Sequence, residues 1–91
     1  MTQLIVTFKI MPDSPAENLE KIEEHAKEKI TEFGGEFGKS ELEPIAFGLT
    51  ALKIIIIMEE EKGSTDSLEE SISTIKGVKS IEVVDARRAI G

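Results

Sequence analysis

Apolar and polar residues alternate from Leu4 to Met11. Leu4, Val6, Phe8 and Ile10 take one side, and Ile5, Thr7 and Lys9 the other. A period of two predicts a strand with one buried face, ended by Pro12 and Asp13. The period then changes. Leu19, Ile22, Ala26, Ile30 and Phe33 recur at helical spacing and predict a helix with one packed side. Ser14-Pro15-Ala16-Glu17 reads as its start, with Ser14 as the cap, Pro15 at the first helical position and Glu17 completing a capping box. Gly34-Gly35 stops it. Glu36 to Leu42 is a weaker strand whose charges and Gly38 suit an edge position. The strongest strand signal runs from Ala51 to Met58. Its consecutive isoleucines, Ile54 to Ile57, are stiff at χ1 and suit a pleated, buried surface. Leu52, Ile54, Ile56 and Met58 are expected to face the helices, and Ala51, Lys53, Ile55 and Ile57 to face away. Glu59-Glu60-Glu61-Lys62-Gly63 reads as a solvated turn. Ser64 or Asp66 caps a second helix with apolar positions Leu68, Ile72 and Ile75, closed by Gly77. Val78 to Asp85 is the last strand, with Ile81 and Val83 pointing inward, and Ala86 to Gly91 reads as a short tail.

The order is thus strand, helix, strand, strand, helix, strand. Right-handed crossovers fold it into an α+β, ferredoxin-like βαββαβ sandwich: a four-stranded antiparallel sheet with both helices on one face. The first and third strands, the most apolar, become the central pair. The expected core is Val6, Phe8, Ile10, Leu19, Ile22, Ala26, Ile30, Leu52, Ile54, Ile56, Leu68 and Ile72. The other sheet face carries Ile5, Ala51, Ile55 and Ile57 among Thr7, Lys9 and Lys53, more apolar than a solvated face requires, and reads as a contact or dimer surface. The 91 residues fit one domain, 1–91, with no linker.

Charge narrows the partners. A formal net charge of -7 opposes binding to nucleic acid or anionic lipid, because phosphate neutralisation needs clustered cations. The only adjacent basic pair is Arg87-Arg88. Cysteine is absent, which removes disulfides, thiolate metal sites and cysteine nucleophiles and fits a reducing, cytoplasmic setting. No basic-then-apolar leader is seen at the amino terminus, and the run Leu49–Met58 is too short to span a bilayer.

Catalytic chemistry finds little support. His25, the only histidine, sits beside the apolar stripe of the first helix among glutamates and reads as a half-exposed helix residue. Glu59-Glu60-Glu61 points its carboxylates in different directions and reads as a solvated run, not a metal site. The glycines build no phosphate cradle. RNA-binding sheets of this topology need aromatic side chains on the central strands. Aromatics are 4% here, all phenylalanine, and Phe8 faces the helices. No catalytic residue, metal or cofactor is therefore assigned. Protein interaction remains, with two candidates. Phe47 follows Pro44 and precedes Gly48 in the loop before the central strand, where it either plugs the end of the core or is presented to a partner. Arg87-Arg88 is either a partner contact or a solvated tail.

The segment Pro44-Ile45-Ala46-Phe47-Gly48-Leu49 resembles the elongation factor 1-beta family. The resemblance extends over the chain: the strand ending in Met11-Pro12, a helix beginning around Asn18-Leu19-Glu20, the second helix from Ser64 to Ile72, and Ile81-Glu82-Val83-Val84-Asp85-Ala86-Arg87-Arg88. The length fits the short, single-domain form typical of archaea. The resemblance implies a guanine-nucleotide exchange factor that promotes GDP release and GTP loading of elongation factor 1-alpha in translation. It implies no covalent enzyme activity, and it places Pro44, Ile45, Phe47 and Gly48 in the loop that probes the G protein. Eukaryotic members carry a lysine near the carboxyl terminus, thought to disturb the G protein's magnesium site. The same spacing from Asp85 reaches Gly91 here, so that role does not carry over; of Arg87 and Arg88, the more terminal Arg88 is expected to replace the lysine in part. Two other readings share the topology. One is a small-molecule-binding regulatory domain. The other is an acylphosphatase-like enzyme, which needs an anion-binding arginine and a nearby asparagine; the only asparagine is Asn18, and no arginine precedes Arg87.

Overall fold

The computed structural model describes residues 2–89. Along the chain these form β1 (Gln3–Pro12), α1 (Leu19–Phe33), β2 (Glu36–Pro44), β3 (Thr50–Glu59), a 3-10 turn (Glu60–Lys62), α2 (Asp66–Ser73) and β4 (Val78–Arg88). The strands lie in the order β2-β3-β1-β4 and every neighbouring pair is antiparallel. This is the ferredoxin-like arrangement, with α1 and α2 on one face of the sheet.

The central pairing follows from the period-two pattern. Val6, Phe8 and Ile10 of β1 stand opposite Ile56, Ile54 and Leu52 of β3. These six and Met58 are buried under Ile22, Ala26 and Ile30 of α1 and Leu68 and Ile72 of α2. Leu19 departs from the expected core: it packs against the cluster but is only partly buried, because it opens α1 at the rim. On the uncovered face, Ile5 faces Ile57, Thr7 faces Ile55 and Lys9 faces Lys53. Two lysines directly opposite one another repel. Flanking carboxylates offset this: Glu41 pairs with Lys53 and Glu82 with Lys9 across the outer strands, and Glu43 comes within 3.9 Å of Lys9.

The start of α1 differs from the expectation. Asn18, not Ser14, is the cap: its side-chain oxygen accepts hydrogen bonds from the Glu20 and Lys21 amides at 3.0 and 3.2 Å. Ser14 to Glu17 instead form a turn, with the Glu17 amide donating to the Ser14 carbonyl. Gly34 ends the helix with a left-handed φ of 97°. At α2 the cap position is Thr65, neither Ser64 nor Asp66, and its side chain bonds no helix amide; Ser64 accepts from the Asp66 amide at 3.0 Å just ahead of the helix.

The end of the chain differs more. β4 continues through Arg88, so Ala86, Arg87 and Arg88 are rungs of the sheet and not a tail. A bulge at Val84 allows this: Phe8 pairs with Val83 and the next β1 residue, Thr7, with Asp85. Val83 shares the helix-side register of Phe8 but remains 39% exposed, since an outer strand lacks cover beyond it. The turn after β3 is solvated from Glu61 to Gly63, as expected, but Glu59 belongs to the strand. Glu59 closes the strand opposite Gln3, and one of its carboxylate oxygens is buried.

Candidate functional site

The loop joining β2 to β3 is a tight hairpin tip. The Ile45 amide donates to the Leu49 carbonyl at 2.8 Å and the Leu49 amide to the Ala46 carbonyl at 3.0 Å. Between them Phe47 has φ 56° and Gly48 φ 78°. Positive φ at both central residues is the arrangement of a type I′ turn, whose twist matches that of the flanking strands. Such tips are ordinarily built from Asn, Asp or Gly. A phenylalanine there is strained, because its Cβ crowds the backbone in the left-handed region. Among the described residues it is the only non-glycine with positive φ.

The ring gains nothing from the protein's own core, since Phe47 is 96% exposed. That decides between the two uses read from the sequence: the ring does not plug the end of the sandwich. Pro44 ends β2 opposite Thr50, and Ile45, 40% exposed, leads into the turn. Gly48 has room for a side chain, with the Pro15 ring 3.9 Å from where a Cβ would lie, so glycine is needed there for conformation and not for space. Pro44, Ile45, Phe47 and Gly48 are thus brought together on one projecting tip.

Arg87 and Arg88 are elsewhere. They stand opposite Ile5 and Leu4 at the start of β1, whereas the hairpin tip extends from the β1 end near Ile10. Six residues of strand separate Leu4 from Ile10, about 20 Å. The arginines also diverge from one another. Arg87 lies on the uncovered sheet face, its Nε donating to Asp85 Oδ2 at 2.9 Å. Arg88 lies on the helix-side face, its Nη2 donating to Glu60 Oε1 at 2.7 Å. Both are largely exposed. Gly91, where the eukaryotic lysine would be sought, lies outside the described residues.

His25 is an exposed helix side chain, 4.0 Å from Glu28. Among the described residues no group of three or more His, Cys, Asp or Glu side chains could hold a metal ion. No described helix is long and apolar enough to cross a membrane. One feature escaped the sequence pattern. Leu42 stands opposite buried Leu52 in the helix-side register, yet it is 63% exposed. Alternation alone misplaces it: Phe37 and Leu42 are five positions apart and share the helix side only because the register shifts at Gly38.

The chain matches the family described as the EF-1 guanine nucleotide exchange domain over residues 5–89. It belongs to that family. Its relatives include elongation factor 1-beta of Methanothermobacter thermautotrophicus, 44% identical over 97% of this chain and 98% of the relative. The protein of the same name from Metallosphaera sedula is 42% identical over 97% of each. The role that goes with this family is guanine-nucleotide exchange in translation elongation, and a small-molecule regulatory role is not favoured. Solved structures of similar shape include the ACT domain from GTP pyrophosphokinase of Chlorobium tepidum, with a TM-score of 0.61, 14% identity and coverage of 90% of this chain and 99% of that one. The C-terminal domain of the MgtC protein from Mycobacterium tuberculosis gives a TM-score of 0.64 at 12% identity, covering 96% of this chain and 87% of that one. At such identities the likeness is one of fold alone.

Proposed function

We propose that the domain binds elongation factor 1-alpha in the cytoplasm, speeds its release of GDP and so promotes GTP loading, with Phe47 as the anchor of the contact. The observation that carries this is the pairing of strain and exposure at Phe47. An aromatic ring held outside the core in an unfavourable backbone conformation is explained by what it does for a partner. Buried in a partner's pocket, an anchor of this kind typically contributes about 2 kcal/mol or more. Pro44, Ile45 and Gly48 set the tip on which the ring is carried.

Exchange needs no bond made or broken by this chain. It couples two binding equilibria: by whatever factor the domain weakens the G protein's hold on nucleotide, nucleotide weakens the hold on the domain. The domain therefore favours a state of the G protein whose nucleotide contacts are distorted. The rigid sheet fixes the separation of its two ends. A partner gripped at Phe47 can meet Arg87 or Arg88 only at a second place, and a guanidinium near a metal or phosphate site competes electrostatically with the metal. The test is to mix the protein with its own organism's elongation factor 1-alpha loaded with fluorescent GDP. The wild type should accelerate GDP release and Phe47→Ala should do so far less; no acceleration by the wild type would end this reading.

A further inference from the structure

The hairpin that carries Phe47 outruns the central pairing of the sheet. The last rung joining β1 to β3 is Ile10 with Leu52, whereas β2 and β3 go on pairing through Glu43 with Ala51 and Pro44 with Thr50. Ile45 to Leu49 follow, closed by their two backbone hydrogen bonds. Phe47 is thus carried on a two-stranded projection, and a two-stranded ribbon is by itself marginally stable. Its turn also holds a phenylalanine at φ 56°. Such strain persists only where the surroundings over-determine the conformation. The bonds within the tip fix its shape but not its direction relative to the sheet.

Direction is supplied from outside the hairpin. A Cβ at Gly48 would lie 3.9 Å from both the Cβ and the Cγ of Pro15, so the proline ring flanks the residue next to Phe47. Pro15 is itself rigidly mounted. It is the second residue of the turn Ser14–Glu17, in which the Glu17 amide donates to the Ser14 carbonyl at 3.2 Å. The fixed φ of proline suits that position. The turn is tied at both ends to the corner between α2 and β4. The Asp13 amide donates to the Gly77 carbonyl at 2.8 Å. Glu17 Oε1 fills the space beside Gly77, 2.6 Å from where a Cβ would lie. In the strand order β2-β3-β1-β4 this turn is a strut across the end of the sandwich, from the β4 corner to the β2–β3 tip.

We infer that Pro15 is a positioning residue for nucleotide exchange: its ring braces Gly48 and so holds the Phe47 ring in the direction in which the elongation factor receives it. The inference rests on the reading of Phe47 as an anchor. Pro15 acts through the tip and brings no chemistry of its own to the nucleotide. A tip free to swing presents the ring correctly for part of the time, and apparent affinity falls in proportion to that fraction.

The test is a double-mutant cycle in the GDP-release assay. The full chain as wild type, Pro15→Gly, Phe47→Ala and the double variant are each titrated against its own organism's elongation factor 1-alpha loaded with fluorescent GDP. If glycine leaves the tip aligned for about a third of the time, Pro15→Gly should raise the concentration for half-maximal release about threefold. The rate at saturation should change far less. With Phe47 already alanine there is no ring to aim, and Pro15→Gly should have no further effect. Amide hydrogen exchange supplies a readout separate from general stability. The Ile45 and Leu49 amides, which close the tip, should exchange faster in Pro15→Gly, while the Ile54 amide of the central strand should not. Pro15→Ala replaces the glycine variant if the latter melts early. Equal losses in both backgrounds would make Pro15 an independent contact or stabiliser and overturn the inference, as would a wild-type titration by Pro15→Gly. In either case weak exchange by Phe47→Ala leaves the anchor standing. Wild-type exchange by Phe47→Ala would end the reading of the anchor and this inference with it.

Discussion

Arg88 Nη2 and Glu60 Oε1 stand 2.7 Å apart, tying the last residue of β4 to the turn that follows β3. Both side chains are exposed, at 72% and 38%, so water and salt compete for the pair and it contributes only about 0–1 kcal/mol. A guanidinium held this weakly is easily released to a partner. Arg88→Ala should leave the melting temperature almost unchanged while slowing GDP release, more at low salt than at moderate salt. Arg87→Ala should slow it less. Equal, unchanged rates for both variants would remove the arginines from the mechanism.

Truncation after Ala86 is a different experiment, because those residues are part of the sheet. It removes the rungs at Leu4 and Ile5 and the 2.8 Å bond from the Ala89 amide to the Gln3 carbonyl. The shortened chain should melt below the wild type, visible in urea or thermal unfolding, whereas the two alanine variants should not.

Phe47 should separate stability from function. Phe47→Ala removes a ring that touches little of its own protein, so the melting temperature should hold while exchange falls by about 2 kcal/mol in rate, roughly 30-fold. Phe47→Asn goes further. Asparagine tolerates the left-handed conformation, so relief of strain should raise stability by up to about 1 kcal/mol while exchange is still lost. A melting temperature that collapses in either variant would return the ring to a structural role.

The helix start offers a sharp comparison. Asn18→Ala should cost about 0.5–2 kcal/mol, the usual effect of losing a cap. Ser14→Ala should cost little, since its hydroxyl accepts one bond of 3.3 Å from the Ala16 amide within an exposed turn. Urea denaturation of the pair would rank them.

Gly38 tests the outer strand. It sits at a register shift in β2, and a Cβ there would lie 2.8 Å from the Ile55 carbonyl oxygen, which is backbone and cannot rotate away. Gly38→Ala should therefore destabilise by about 1–3 kcal/mol through displacement of the strand.

The central strands were legible because each buries one whole face. Shifting β3 by one residue would expose Ile54 and Ile56 together, so the alternation admits a single register. The start of α1 was less legible. Ser14-Pro15-x-Glu17 and Asn18-Leu19 both carry start signals, and local chemistry does not say whether the intervening residues make a helical turn or a loop across the top of the sheet. Only the resemblance pointed to Asn18. At the end of β4, adjacent arginines resemble a solvated tail, yet an outer strand tolerates charge on both sides because both are wet. The residues alone located Phe47 without orienting it, since exposure depends on the turn type, which Gly48 permits without dictating; the resemblance put the ring in a probing loop, and it is indeed exposed. Leu42 was hidden by the register shift at Gly38, which inverts the phase of β2 between Phe37 and Leu42, and by an edge that leaves it exposed.

The bulge at Val84 has a consequence for how the end of the chain is compared among relatives. From Ser80 to Val83, odd-numbered residues of β4 share the helix side with Phe8 and Ile10; after the bulge, even-numbered ones do, and Arg88 falls there while Arg87 crosses to the other. The strand shifts phase at Lys79 and again at Val84, and the second shift, a single extra residue, sets the sides of the arginines. A relative lacking that residue would carry the same two arginines on exchanged sides without any change in their identity. Equivalence near this terminus is therefore set by pairing partner, Leu4 or Ile5, and not by distance along the sequence from Asp85.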